Sequence, residues 1–388
     1  MANNETDSID YARTAADWRK LFPAAEIDIP RYASDVVGPL ERFDERDCVF
    51  ARRDLRPGGA PYAAYYRLHP ERKLVDDEIR AMPEIGSREP AANGEMFRSL
   101  FASIMPLGAP KIVEGGRLSG TPYARPGSRV ELDPLVAAEK ARGFARLLGA
   151  DLVGIGPLNP AHVYSHIGRT FYGETWGEPI KLDHPYAISL GIRMNTGGLV
   201  RTSPHFPTLL ESGLAYARGA FISVQLASYI RGLGYRARAH HLRNYQVLSV
   251  PVAVDGGLGE MGRCGFLLTR EYGNCLRLAT VTTDLPMAMD KPTDLGVERF
   301  CERCIACAKA CPAGAIPTGE KTAVRGVRKW SLDAEKCYHF WHEMGSDCGL
   351  CIAVCPWSNW ALGPRPSETE PPVAGSYVRS ASRPQWLR

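Results

Sequence analysis

No stretch of this 388-residue chain stays apolar for the roughly 18 residues that a membrane-spanning helix needs. Its first residues, Met1-Ala-Asn-Asn-Glu-Thr-Asp, hold neither a basic region nor an apolar run, so they do not read as a secretory leader. The twin arginine Arg52-Arg53 is followed by Asp54 and a Pro/Gly stretch, not by the apolar segment of an export signal. A net charge of +4 is too mild to imply nucleic acid or an anionic membrane as a partner. No G-x-G-x-x-G opens a helix and no loop ends in G-K-[ST], which removes the usual signs of dinucleotide and nucleotide-phosphate binding. Together these absences predict a cytoplasmic protein with no membrane and no nucleic-acid partner. At 45% apolar residues the composition is ordinary for a globular protein, and the length predicts two or three domains.

Cysteine is where the chain is rich. Eight of its 11 cysteines fall between residues 301 and 355, in two runs. The first reads Cys301-x2-Cys304-x2-Cys307-x3-Cys311-Pro312, the second Cys337-x10-Cys348-x2-Cys351-x3-Cys355-Pro356. The first spacing is that of bacterial two-cluster ferredoxins, in which the fourth cysteine of a run ligates the other cluster. The second is the same pattern with its first gap stretched. This assigns one [4Fe-4S] cluster to Cys301, Cys304, Cys307 and Cys355, and another to Cys337, Cys348, Cys351 and Cys311. Zinc sites usually pair two short C-x2-4-C steps, and disulfide frameworks belong to secreted scaffolds, so both suit the spacing less well. Cys48, Cys264 and Cys275 are left as buried structural thiols. Clusters move electrons singly, which leaves open what they serve.

The chain divides by composition. Residues 1–132 mix polar stretches with short apolar pieces, Pro and Gly, and read as a wrapping segment that contributes to the core. It holds a helix near Tyr11–Leu21 and a loop over 116–133. Residues 133–292 carry a clear helix and strand pattern. Asp133-Pro134 caps a helix that Gly149 stops after Leu148. Leu152–Ile155, Ala187–Ile192, Val247–Val254, Phe266–Leu268 and Leu276–Thr282 read as strands. Pro207 and Thr208 open a long helix reaching Leu233-Gly234, with Leu210, Leu214, Ala217, Phe221 and Val224 as its apolar stripe. Its second face, Tyr216, Gly219, Ala220, Ser223 and Ala227, is small enough for a large flat ligand or for close helix packing. The glycine-rich loop Asp255–Arg263 lets backbone approach a cofactor closely. His240-His241 are neighbours on an extended segment and point opposite ways, which argues against a shared metal. Residues 293–362 form the two-cluster module, and the Pro- and Ser-rich 363–388 a tail.

Several stretches, in this order, resemble the corrinoid-dependent reductive dehalogenases. They are Phe43-Asp44-Glu45-Arg46-Asp47, Leu74-Val75-Asp76-Asp77-Glu78-Ile79-Arg80, Leu148-Gly149-Ala150-Asp151-Leu152-Val153-Gly154 and Tyr229-Ile230-Arg231-Gly232-Leu233-Gly234-Tyr235. Gly257-Leu258-Gly259-Glu260-Met261-Gly262-Arg263, Thr283-Asp284-Leu285-Pro286 and Cys337-Tyr338-His339-Phe340-Trp341 follow, ahead of Cys348-Gly349-Leu350-Cys351. The resemblance implies an α/β (α+β) fold: a nitroreductase-like core holding base-off cobalamin, with a ferredoxin-like domain of two [4Fe-4S] clusters stacked against it. That family binds its corrinoid without a D-x-H-x-x-G signature, and none occurs here. The chain shows neither the export signal of the respiratory members nor the fused flavin and ferredoxin modules of some cytoplasmic ones. A separate electron donor of ferredoxin or flavodoxin type is therefore expected. By motif and spacing the resemblance puts the proton-donor tyrosine at Tyr216, its polar assistant at Asn244 and its basic partner at Arg277. Corrinoid contacts fall on Gly257, Gly259, Met261, Gly262, Leu278 and Ser203, and Trp341 and His342 sit where the family lines its substrate pocket.

Replacing a carbon-bound halogen by hydrogen takes two electrons and a proton. An unperturbed tyrosine has a pKa of about 10, and a guanidinium beside it favours the phenolate, which makes Tyr216 a better acid. Arg277 is also suited to hold a phenolate or carboxylate of the substrate. The expectation is an oxidoreductase acting on an organohalide, a halogenated phenol or related aromatic. Without the resemblance, Tyr216 reads as a core residue, Arg277 as an ion-pair partner and Asn244 as a turn residue. Two other functions share part of the pattern. One is epoxyqueuosine reductase, a tRNA-modifying enzyme whose G-L-G-W-x-G-K loop differs from Glu260, Met261 and Arg263 here. The other is a non-catalytic corrinoid or electron-transfer protein.

Overall fold

The computed structural model describes residues 20–115, 129–194, 200 and 205–362. The helix expected near Tyr11–Leu21 falls almost wholly outside the described residues, as do the tail beyond residue 362 and most of the 116–133 loop. A four-stranded antiparallel sheet stands at the centre. Its strands are β1 (Leu152–Pro157), β2 (Tyr186–Arg193), β3 (Ala237–His240) and β4 (Leu276–Thr283), in the order β1-β2-β4-β3. Around it lie α1 (Ala91–Ile104), α2 (Pro134–Leu147), α3 (Phe206–Gly232) and α4 (Ala334–Met344). The architecture is α+β, because every strand pair is antiparallel. Ile155, Ile188, Leu190 and Ile192 of the sheet pack with Ala215, Ile222, Leu226 and Ile230 of α3 and the buried alanines of α2. The start of α2 is fixed by Asp133, whose Oδ1 accepts the Leu135 N–H at 2.9 Å, and its end by Gly149 at φ 103°.

The apolar stripe expected on α3 is only partly buried: Leu210 and Val224 are in the core. Leu214 and Phe221 are 41% and 47% exposed. The helix lies on the sheet through its small residues instead. A Cβ on Gly219 would stand 3.3 Å from Ala279 Cβ and 3.5 Å from Ile192 Cγ1, and Ala220, Ser223 and Ala227 are fully buried. Short side chains let the helix axis approach the sheet, so these positions serve packing and offer no platform for a ligand. Tyr216, half-buried at the edge of that face, is the exception.

Val247–Val254 is corrected too: residues Ser249–Asp255 form a helix. Pro251 explains it. Within a central strand a proline would delete a ladder hydrogen bond, whereas the first helical turn needs no N–H there. Gly154 and Gly156 of β1 make room for this helix, since a Cβ on either would run into the backbone of Asp255 or Gly256.

The strand β3, Ala-Arg-Ala-His, is buried throughout because its polar groups are met. Arg238 donates to Glu114 at 2.9 Å and to His240 Nδ1 at 3.0 Å. His240 Nδ1 also accepts the Gln246 N–H at 3.1 Å, so the neutral ring carries its proton on Nε2 and donates it to Thr282 Oγ1 at 2.9 Å. Burial, then the Arg238 charge, hold the His240 pKa well below its ordinary value, and burial likewise lowers His184 and His241. A depressed histidine pKa stabilises the fold above about pH 6.5 and loses that contribution as pH falls toward the folded value. Unfolding free energy in denaturant titrations is therefore expected to drop from about pH 7.5 to 5.5, by up to about 1.4 kcal/mol per pH unit for each such histidine. His240→Gln should flatten that slope, and a pH-independent curve would contradict the account.

Residues 20–115 wrap this core. Leu100 and Phe101 of α1 pack over Gly213 of α3. Arg52, 1% exposed, is tied to Glu335 of α4 at 2.7 Å and to Asp76 at 3.3 Å. Among the described residues no helix is long and apolar enough to cross a membrane.

Candidate active site

A cavity of about 1190 Å³ opens between α1, α3, β4 and the cysteine-bearing segment. Its volume exceeds the roughly 300–1,000 Å³ of an ordinary small-molecule site. Tyr216 and Arg277 share its wall. Ser212 stands four residues before Tyr216 and so on the same face of α3, which crosses β4 where Arg277 sits. The Arg277 Cζ lies 5.6 Å from the centre of the Tyr216 ring. Its Nη2 donates to Ser212 Oγ at 2.6 Å and lies 3.7 Å from Asp347 Oδ2. Ser212 in turn donates to Asp347 at 3.4 Å. Burial raises the Asp347 carboxyl and the Arg277 charge works against that rise. The guanidinium is thus fixed before any ligand arrives, with its face toward the tyrosine ring.

Asn244 is not brought to this pair. Its Oδ1 accepts from Arg238 at 2.6 Å and its Nδ2 donates to the Gly108 carbonyl at 2.7 Å, so its amide is consumed in packing. Its neighbours Arg243 and Tyr245 line the cavity instead. The glycine loop packs closely against protein. A Cβ on Gly257 would strike the Lys291 carbonyl, one on Gly259 the Leu268 carbonyl, and one on Gly262 the Leu268 side chain. At these positions the glycines let protein backbone approach protein closely. Met261 and Leu278 do line the cavity, as do Trp341 and His342, while Ser203 lies outside the described residues. Sequence reasoning missed Arg53, Arg169 and Arg243, which line the cavity beside Phe50, Phe101 and Tyr245. Their only sequence signal is a scatter of arginines among aromatics, which a surface also shows.

The cysteines sit on short helices and the turns between them. Cys301 lies in the helix Val297–Arg303, Cys307 in Ala306–Lys309, Cys337 in α4 and Cys351 in Leu350–Ala353. Burial raises Cys337 and Cys348 to about 12, and Asp347 and Cys311 push the same way. Burial also raises Cys355 to about 12, with Cys264 and Cys304 adding to it, and it raises Cys301, with Cys355 among the neighbours that add. Cys355 therefore stands among the thiols of the first run, and Cys311 among those of the second. The thiols of the two runs are the donor type that a [4Fe-4S] cubane takes, and Cys264 stands beside the first run, in contact with Cys307. Of the three remaining cysteines, Cys264 and Cys275 are buried and Cys48 is half-buried. Cys311, Cys337, Cys348 and Cys351 line the cavity. Their loop is locked onto α3: the His205 N–H donates to the Cys348 carbonyl at 2.9 Å, and Gly349, at φ 69°, presses on Thr208 where a Cβ has no space.

The chain was compared with known proteins. The 4Fe-4S dicluster domain family matches residues 300–359. The tetrachloroethene reductive dehalogenase of Desulfitobacterium hafniense is 34% identical over 266 residues, covering 57% of this chain and 48% of that protein. The enzyme of the same name from Sulfurospirillum multivorans is 33% identical over 258 residues, covering 58% and 51%. The chain thus spans about half the length of the curated relatives it matches. Among solved structures, the catabolic reductive dehalogenase NpRdhA in complex with 3-bromo-4-hydroxybenzoic acid superposes with a TM-score of 0.67 at 28% identity, over 87% of this chain and 44% of that one. A reductive dehalogenase structure described for B12-dependent dehalogenation gives a TM-score of 0.65 at 27% identity with the same coverage. Epoxyqueuosine reductase of Salmonella typhimurium is a more distant likeness, 26% identical over 202 residues that cover 42% of this chain and 48% of that protein. By sequence and by fold, this chain is similar to the reductive dehalogenases over about half their length, and it carries a 4Fe-4S dicluster domain over residues 300–359.

Proposed function

We propose that the protein is a reductive dehalogenase acting on a halogenated phenol or related aromatic. The observation that carries this reading is the Tyr216–Arg277 pair on the wall of a cavity that also exposes Cys311, Cys337, Cys348 and Cys351. The cavity's volume and its apolar wall at Met261 and Leu278 suit a corrinoid, the cofactor of the B12-dependent relative, and the two thiol sets suit two [4Fe-4S] clusters. A cobalamin held against Met261 and Leu278 would supply the strong reductant that no side chain can be, and clusters held by the cysteine runs would supply electrons one at a time.

The net change consumes two electrons and one proton: the carbon–halogen bond breaks, a carbon–hydrogen bond forms and halide leaves. The side chains contribute the proton and the orientation. The Tyr216 O–H gives its proton to the carbon, and Arg277, already held by Ser212, stands beside its ring. Solvent then restores the phenol. The electrons come from a separate ferredoxin- or flavodoxin-type protein. All the cysteines are free thiols, which suits a reducing cytoplasm.

The test is halide release. Protein reconstituted anaerobically with iron, sulfide and cobalamin, then chemically reduced, should free halide from halophenols, read by ion chromatography. Silence across a panel that also includes haloalkenes would sink the proposal.

A further inference from the structure

The turn after β3 has an unusual corner. His241 and Asn244 close it with backbone hydrogen bonds of 3.3 and 3.0 Å, and Arg243 between them has φ 88°. That left-handed conformation suits glycine or asparagine. A bulky residue there is held in place by its surroundings, and such positions gather at functional sites. The Arg243 Cζ lies 4.9 Å from the centre of the Phe171 ring and 5.3 Å from that of Phe101. Phe101 packs over Gly213, less than one turn of α3 from Tyr216, and Arg243 and Tyr216 both line the cavity.

What this guanidinium lacks is an anion. Three other arginines of the cavity wall have theirs: Arg169 has Glu45 at 3.4 Å, Arg53 has Glu84 at 2.5 Å, and Arg277 has Asp347 at 3.7 Å. Among the described residues Arg243 has no carboxylate within ion-pair distance, and its Nε is buried without a hydrogen-bond partner. Asp54 attracts it, but Asp54 answers to Arg169 and Arg53 as well. A half-buried cation without a partner is unfavourable, and a ligand that brings an anion relieves it.

We infer that Arg243 is the receptor for an oxyanion on the ring of the organohalide, a carboxylate or a phenolate, so that the preferred substrates are anionic halogenated aromatics. This deepens the dehalogenase reading and rests on it. A guanidinium takes a carboxylate through two parallel hydrogen bonds, and Phe101 on the cavity wall offers apolar surface to an aromatic ring. Arg277 is occupied by Ser212 and Asp347 and stays with the tyrosine. The two arginines then divide the work: Arg243 sets how the ring lies, and Arg277 serves the proton donor.

Binding tests this without turnover. Oxidised holoprotein is titrated calorimetrically with 3-bromobenzoate against 3-bromobenzamide, and with 2,6-dibromophenolate against 2,6-dibromoanisole. At least one anion should bind about tenfold or more tighter than its neutral mate. Whichever pair shows the preference identifies the oxyanion. Arg243→Gln should erase it and leave the neutral ligand's affinity within about twofold. Arg243→Asn, whose side chain tolerates the left-handed corner, should do the same and guards against a folding defect. Equal affinities within both pairs in the wild type, or a preference that survives in either variant, would overturn the inference. Halide release is scored separately. Selective anion binding without halide release keeps the receptor and removes the dehalogenase reading. Halide release without anion preference does the reverse.

Discussion

Tyr216→Phe is expected to cut halide release by at least about a hundredfold while leaving iron and cobalamin content unchanged. The substitution removes one oxygen and keeps the ring, so the face presented to Arg277 at 5.6 Å survives. Among the described residues the Tyr216 hydroxyl makes no hydrogen bond, and little stability is therefore at stake. A general acid typically contributes about 10²–10⁴-fold, which sets the size of the loss. Comparing rates with and without added small-molecule acids sharpens the test, because rescue by such an acid marks a missing proton rather than a distorted site. Turnover close to that of the wild type would show that the proton comes from elsewhere.

Cys355→Ser should damage the cluster of Cys301, Cys304 and Cys307, although Cys355 lies in the second run. Cys311→Ser should damage the cluster of Cys337, Cys348 and Cys351. Each variant should lose about half of the protein's iron and one of two paramagnetic signals after reduction. The signal lost in Cys355→Ser should be the one lost in Cys301→Ser, and the two should differ from the signal lost in Cys311→Ser. The Cys311→Ser variant should also stop halide release, because its cluster has ligands on the cavity wall. If Cys355→Ser and Cys351→Ser erase the same signal, the crossed assignment is wrong.

What could be read from the chain depended on how local the cause was. Asp133 and Gly149 bracket α2 through cap geometry that needs only neighbours, and both ends are legible. The cysteine spacings are equally local, and they announce the dicluster domain. The helix Ser249–Asp255 was misread because Val247–Val254 is rich in β-branched residues, and one proline outweighed them. On α3 the pattern of large apolar residues caught only part of the buried face, Leu210 and Val224, since a sheet at close range selects small side chains. β3 escaped notice because its buried residues are Arg238 and His240, whose partners Glu114 and Thr282 are far along the chain. Arg243 was invisible for a related reason. Its meaning lies in a missing carboxylate, and an absence of that kind exists only in three dimensions.

The lock between the Cys348 loop and the first turn of α3 carries one more consequence. The same helix that presents Tyr216 also braces the loop of Cys348 and Cys351, through His205 and through Gly349 against Thr208. On the proposed reading, electron source and acid are therefore bolted to one joint. A methyl group added at residue 349 would pry that joint open, and the spacing between wire and acid would drift as a single fault.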